Sequence, residues 1–182
     1  MIFISAGHNP NGIKTDPGAI GNGKREADLA VEFRDLVIAE LVKKNVKYVA
    51  DSDSERLGQY LERIKTGSGS VVLEFHFDAA ASAKATGTTV LIGGDADKND
   101  KAFAKELVEA TATILGIKNR GVLSETESHR GRLGLTRESG TVALLELCFI
   151  SNPSDLADYD KGKIALAQAI ADILIKYENL IP

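Results

Sequence analysis

The sequence predicts an α/β fold: a single-domain, three-layer arrangement with a mostly parallel central sheet, one antiparallel edge pairing and helices on both faces. Three observations lead there. Short apolar runs of strand length alternate with helical patterns along the chain. The 182 residues, 43% of them hydrophobic, suffice for one ordinary core and not for two independent ones. No internal repeat, low-complexity tract or Pro/Ser-rich linker divides the chain, so residues 1–182 read as one domain.

Ile2 to Ser5 is the opening strand. The Gly/Asn/Pro/Asp segment from Gly7 to Gly23 is too long for an ordinary strand-to-helix connection, which marks it as a functional loop. Leu29, Phe33, Leu36, Val37 and Leu41 then recur at helical spacing, with Lys43 and Lys44 at the carboxyl end, where the helix dipole favours cations. Val46 to Ala50 is the second strand. Asp51, Ser52 and Asp53 offer N-caps for a helix through Leu57, Leu61 and Ile64, which Gly67 and Gly69 stop.

Val71 to Phe77 and Thr88 to Ile92 are both strand-like. The small-residue segment between them holds no crossover helix, so antiparallel pairing of these two strands is expected. Phe103, Leu107, Ala110 and Ile114 define a helix closed by Gly116, and Val142 to Ile150 is the most continuously apolar strand in the chain. Ile170, Ile173, Leu174 and Tyr177 supply the apolar face of a final helix.

Charge and composition exclude several function classes. Twenty-six acidic against 22 basic residues give a net charge of -4 with no run of five like charges, which argues against nucleic acid and against an anionic membrane surface. No apolar stretch approaches the ~18 residues of a membrane span, so no membrane insertion is expected. Cys148 is the lone cysteine and allows no internal disulfide. The opening MIFISAGHNPNG has no basic leader before its apolar run and reads as a strand instead of a signal peptide. Gly18 to Lys24 matches the spacing of a phosphate loop, but Arg25 stands where Ser or Thr is needed for magnesium. These glycines are read as freedom for a loop that carries ligands.

The informative residues are ionisable groups where burial should forbid them, since such groups are costly unless paired or bound to a metal. His8 follows the first strand at the mouth of the glycine-rich loop. Glu26 lies in the first turn of the first helix, where the dipole already favours a carboxylate. In VVLEFHFDA, alternation puts Glu74, His76 and Asp78 on one face and Phe75 and Phe77 on the other. Glu146 interrupts the apolar run VALLELCFI, which suits a carboxylate facing a polar cleft at the strand's carboxyl end. His8, Glu26 and His76 are together two imidazoles and a carboxylate, the donor set of a catalytic zinc that keeps a fourth position for water. Glu146 is then placed to act as general base and to pass the proton to a leaving amine.

With these residues in hand, the chain resembles the zinc-dependent N-acetylmuramoyl-L-alanine amidases of the type-3 amidase family, which cleave bacterial peptidoglycan. SAGHNPNG is similar to that family's opening strand and first histidine, and DPGAIGNGKREADLA to its Asp-x-Gly-Ala loop leading to the ligand glutamate. LEFHFDAA, followed by Gly87, is similar to its Ser-x-His-x-Asn-Ala strand, and ALLELCFISNPSD to the segment with the catalytic glutamate. The resemblance implies that His8, Glu26 and His76 hold one Zn2+, that Glu146 activates water, and that the amide between the lactyl group of N-acetylmuramic acid and L-alanine is cut.

Glu74 and Asp78 depart from the family's usual Ser and Asn and add negative charge beside the metal, with Asp78 on the substrate side. His129 matches no ligand position. Arg130, Arg132 and Arg137 nearby are candidates to meet stem-peptide carboxylates. The missing leader suits a phage or prophage endolysin, made in the cytoplasm and released to the cell wall through a pore made by another protein. A wall-binding module is expected beyond the C-terminus or not at all. Two other readings stand beside this one: a zinc peptidase or carboxypeptidase cutting within the stem peptide, and a non-catalytic wall-binding relative.

Overall fold

Strand β1 (Ile2–Ala6) lies next to β4 (Tyr48–Ala50) on one side and β5 (Val71–Asp78) on the other, all parallel; β1 and β5 carry buried apolar residues on both faces, and β4 is a half-buried edge. This computed structural model describes residues 1–12, 14–128 and 133–180. Strand β8 (Thr141–Phe149) pairs parallel with β5, and β6 (Thr88–Ile92) and β7 (Asn119–Ser124) complete a six-stranded sheet in the order β4-β1-β5-β8-β6-β7.

The expected pairing of residues 71–77 with 88–92 does not form. Strand β8 lies between them, and β6 runs antiparallel to β8 instead. All nine residues of β8 are buried, so this most apolar strand takes a place with a neighbour on both edges. The segment after β5 reaches β6 by crossing the carboxyl end of β8. Ser151 Oγ accepts the Ala80 N–H at 3.1 Å there, and the Asp155 carboxylate accepts Thr86 Oγ1 at 2.6 Å and the Gly87 N–H at 3.0 Å. The sheet is thus mostly parallel, with its antiparallel contact one strand in from the edge that β7 forms.

Helices α1 (Glu26–Lys43), α3 (Lys98–Leu115) and α4 (Pro153–Leu180) cover one face, α4 packing against both of the others. Phe33 meets Phe75 with ring centroids 4.9 Å apart, and Phe77 meets Tyr159 at 5.1 Å, so α1, α4 and β5 share one aromatic cluster. Full burial of one such ring contributes roughly 1.5–3 kcal/mol. Gly116 closes α3 in the left-handed conformation, as its position in the sequence predicts. Helix α4 begins well before its legible apolar stripe, with Pro153 at the first helical position, where its missing N–H costs nothing.

The other face is thinner. Helix α2 (Leu57–Arg63) and the short 3-10 turn Leu135–Arg137 cover it through Tyr60, Ile64 and Leu135. Asp51, Ser52 and Asp53 do not cap α2, which starts later, after Arg56. Asp51 and Asp53 are instead drawn to Arg34 of α1, at 2.9 and 2.7 Å, because a guanidinium whose side chain is only 5% exposed must be paired. Asp51 also accepts the Ala6 N–H at 3.2 Å, which ties this buried pair to the end of β1.

On that thinner face, the sheet changes character along its length. Phe3, Val72 and Val142 are in register and apolar; farther along come Ser5 beside Glu74, then His76 beside Glu146. The apolar ends pack under α2, while the polar ends emerge where parallel strands place their sites.

Candidate metal centre

His8 follows β1 after a single glycine and sits at φ 67, a left-handed conformation rare for a residue with a side chain. Asn9 and Asp16 hold it there. Their backbones pair antiparallel at 3.1 and 3.0 Å, and the Asn9 amide donates to Lys14 O at 2.6 Å, closing the loop behind the histidine. The imidazole is then fixed at both nitrogens: Nδ1 lies 2.8 Å from Asp16 Oδ2, and Nε2 lies 3.2 Å from Glu26 Oε2.

Glu26 is the first residue of α1, and the chain reaches it through a small hairpin of β2 (Ile20–Gly21) and β3 (Lys24–Arg25). Asn22 and Gly23 both have positive φ there, the mark of the Asn-Gly hairpin turn, and the Asn22 amide donates to Ile150 O at 2.8 Å. The segment that matches a phosphate loop in spacing is therefore a hairpin pinned to the end of β8. Glu26 Oε2 accepts the Ala19 N–H at 2.8 Å, and Oε1 accepts the Phe77 N–H at 3.1 Å. Burial pushes its pKa up, but hydrogen bonds from His76 and His8 outweigh this and hold the carboxyl far below the usual range.

His76 Nδ1 lies 2.8 Å from Glu26 Oε1, and Nε2 lies 3.0 Å from Glu74 Oε1. Burial pulls its pKa down, yet Glu26 and Glu74 more than compensate and raise the metal-free imidazole to about 10. Two glycines make room for these side chains. A Cβ on Gly7 would stand 2.3 to 2.5 Å from atoms of the His76 ring. One on Gly18, where φ is +64, would stand 2.5 Å from His8 Cδ2 and 2.6 Å from Glu26 Oε2.

The ligand atoms of His8, Glu26 and His76 all lie within 4.8 Å of one another, so a donor set drawn from three separate elements converges on one point. The set fits zinc. Four ligands at ~2.0–2.1 Å put neighbouring donor atoms roughly 3.3 Å apart. The observed nitrogen-to-carboxylate separations of 2.8 and 3.2 Å are on that scale. Asp16 behind His8 would supply the outer carboxylate that a metal-bound histidine uses to keep Nε2 free.

Glu146 lies opposite His76 in the β5–β8 register; it is 2% exposed, and its charge favours the protonated form of His76. A cavity of about 450 Å³ opens over His8 and His76, with Asp16, Glu74, Lys14 and Arg56 also in its walls; Glu26 and Glu146, both buried, do not line it. Asp78 lies past a register shift that follows His76, accepts the Ala79 N–H at 2.9 Å, and is not among the residues lining that cavity. Arg137 lines a different cavity, beside Asp95 and Asp97. Arg130, Arg132 and His129 lie outside the described residues. Lys14 and Arg56 carry no signal in the sequence, whereas Asp16 is the Asp of the Asp-x-Gly-Ala motif, to which the sequence gives no role beside His8.

Residues 2–176 match the Amidase_3 family, described as N-acetylmuramoyl-L-alanine amidase. The chain is 26% identical over 179 residues to the uncharacterized protein YqiI of Bacillus subtilis, covering 96% of this chain and 81% of that one. It is 28% identical over 194 residues to a Staphylococcus aureus protein named "Probable autolysin PH"; the match covers 93% of this chain but only 38% of that relative. Among solved structures, the catalytic domain of CwlV, an N-acetylmuramoyl-L-alanine amidase from Bacillus (Paenibacillus) polymyxa, superposes with a TM-score of 0.79 at 23% identity, over 98% of this chain and 97% of that one. The two share a fold.

Proposed function

Because this chain belongs to the N-acetylmuramoyl-L-alanine amidase family, we propose that residues 1–182 are a catalytic domain in which His8, Glu26 and His76 hold one zinc ion and Glu146 moves the proton. The reaction is hydrolysis of the amide between N-acetylmuramic acid and L-alanine in bacterial peptidoglycan. The observation that carries the site assignment is the placing of Glu146 beside His76 in register, on the face where His76 meets Glu26.

A zinc ion held there supplies a Lewis acid and lowers the pKa of water towards ~7. The protein's own groups do the rest. Asp16 holds His8 by Nδ1, and the two backbone N–H groups of Ala19 and Phe77 hold the Glu26 carboxylate, so both donors are oriented by the protein itself. Glu146 takes a proton from the attacking water as its oxygen bonds to the lactyl carbonyl carbon. It then gives that proton to the alanine nitrogen as the C–N bond breaks, releasing the stem peptide with a free amino end. Cutting this bond detaches peptide from glycan, which is how such an enzyme degrades the wall.

Glu146→Gln removes the proton acceptor at nearly constant volume. Turnover of purified peptidoglycan is expected to fall by about 10²–10⁴-fold, with bound zinc per chain unchanged. Turnover at the wild-type rate would remove Glu146 from the mechanism.

A further inference from the structure

Glu74 is a carboxylate that the reaction above does not use. It is 3% exposed, in the middle of β5, and has two partners: Oε2 accepts the Ser5 hydroxyl at 3.1 Å, and Oε1 lies 3.0 Å from His76 Nε2. The other nitrogen of His76, Nδ1, faces Glu26 at 2.8 Å. A neutral imidazole donates from one nitrogen and offers a lone pair at the other. An ionised carboxylate only accepts, so a glutamate at Nε2 requires the proton to be there and leaves the lone pair on Nδ1.

We infer that Glu74 is a positioning residue: it fixes the proton of His76 on Nε2 and thereby presents Nδ1 to the metal. This rests on the reading of His76 as a zinc ligand. Ser5, in register with Glu74 on β1, holds the carboxylate by its second oxygen, so the orienting group is itself oriented. The two histidines are then used in opposite senses. His8 is held at Nδ1 by Asp16 and presents Nε2, whereas His76 is held at Nε2 and presents Nδ1. A serine at position 74 would have a hydroxyl that donates as readily as it accepts and would leave the tautomer open. The glutamate closes that choice and adds a negative charge next to the cation.

Zinc affinity, measured by competition with a chromophoric chelator on the folded, zinc-stripped protein, tests this. Glu74→Ala is expected to weaken zinc binding by about 10–100-fold, the usual cost of losing an outer partner of a metal-bound histidine. Glu74→Gln offers an acceptor oxygen for Nε2–H but also an NH2 that can donate, so it should recover only part of that loss. In the zinc-loaded wild type, nitrogen-detected imidazole NMR should find the His76 proton on Nε2. Undiminished affinity in a folded Glu74→Ala, wild-type affinity in Glu74→Gln, or a proton on Nδ1 would each overturn the inference. His76→Ala keeps the two levels distinct. If it too retains wild-type affinity, the metal centre itself is misassigned; if it alone loses zinc, only the role of Glu74 fails.

Discussion

Gly18→Ala separates backbone strain from loss of the metal centre, because the protein holds a matched control. Gly18 and Gly116 have φ of 64 and 68, so alanine at either carries the same left-handed penalty, roughly 1–2 kcal/mol. At Gly116 the added methyl meets nothing within 4 Å, whereas at Gly18 it stands 2.5 Å from His8 Cδ2 and 2.6 Å from Glu26 Oε2. Ordinary contact begins at 3.4 Å. The ring and the carboxylate must therefore retreat by about 1 Å, against a tolerance of about 0.2 Å in metal–ligand distances.

Gly7→Ala isolates the other component. Gly7 does not have positive φ, yet its methyl would strike the His76 ring at 2.3 to 2.5 Å. Urea denaturation of zinc-stripped protein should show a loss from backbone strain alone for Gly116→Ala and a larger one for Gly18→Ala, where the clash adds to the strain. Zinc competition should show at least ~100-fold weaker binding for Gly18→Ala and Gly7→Ala, beyond the cost of losing an outer partner because the ligands themselves move. Gly116→Ala should bind zinc like wild type. If Gly18→Ala binds zinc as tightly as Gly116→Ala, then the close packing of Gly18 on His8 and Glu26 does not define the centre, and the reasoning fails.

Arg34→Ala should destabilise the protein by about 3–5 kcal/mol, because it leaves the Asp51 carboxylate buried without its guanidinium; Arg34→Ala/Asp51→Asn should lose less, and equal urea midpoints for the two would contradict this. In zinc-stripped protein, His76 has its pKa raised from 6.5 to about 10, so its ionic contribution is fully present below pH 6.5 and is lost as pH rises through 10. The thermal midpoint of that form should therefore fall across this window, and His76→Gln should flatten the fall; an unchanged slope would show that His76 is not held as the cation. Zinc should raise the thermal midpoint of the wild type with the logarithm of its concentration above Kd, and the rise should vanish in His8→Ala; a rise retained there would place the ion elsewhere.

Much of the site was legible because its residues break local rules. Glu146 within VALLELCFI and His76 within VVLEFHFDA are polar groups in strands that otherwise demand apolar side chains, and both lie on the face that turns polar towards the strand ends. Glu26, a first-turn glutamate that the helix dipole already explains, stood out only beside His8 and His76. What the chain does not advertise depends on distant partners. Strand pairing between β6 and β8 is decided by which strand needs two neighbours, and nothing in the local pattern of residues 71–92 carries that information. Strand β7, NRGVLS, is an edge strand half open to solvent and held by its ladder to β6, so it lacks an apolar alternation to read. Asp51 and Asp53 look like helix caps until Arg34, remote in sequence, claims them. Asp16 and Glu74 share this character, since a carboxylate that orients a histidine is recognised only once the ring is seen between it and Glu26.

The central claim is that this chain cuts one amide, with a metal held by His8, Glu26 and His76. Mass spectrometry of the products released from purified peptidoglycan tests it most directly, using native protein, chelated protein and chelated protein with zinc restored. The expected products are stem peptides with a free L-alanine amino terminus and glycan that keeps its lactyl groups; they should be absent after chelation and regained with zinc. Cleavage within the stem peptide, or the same products at the same rate in the chelated protein, would contradict the account.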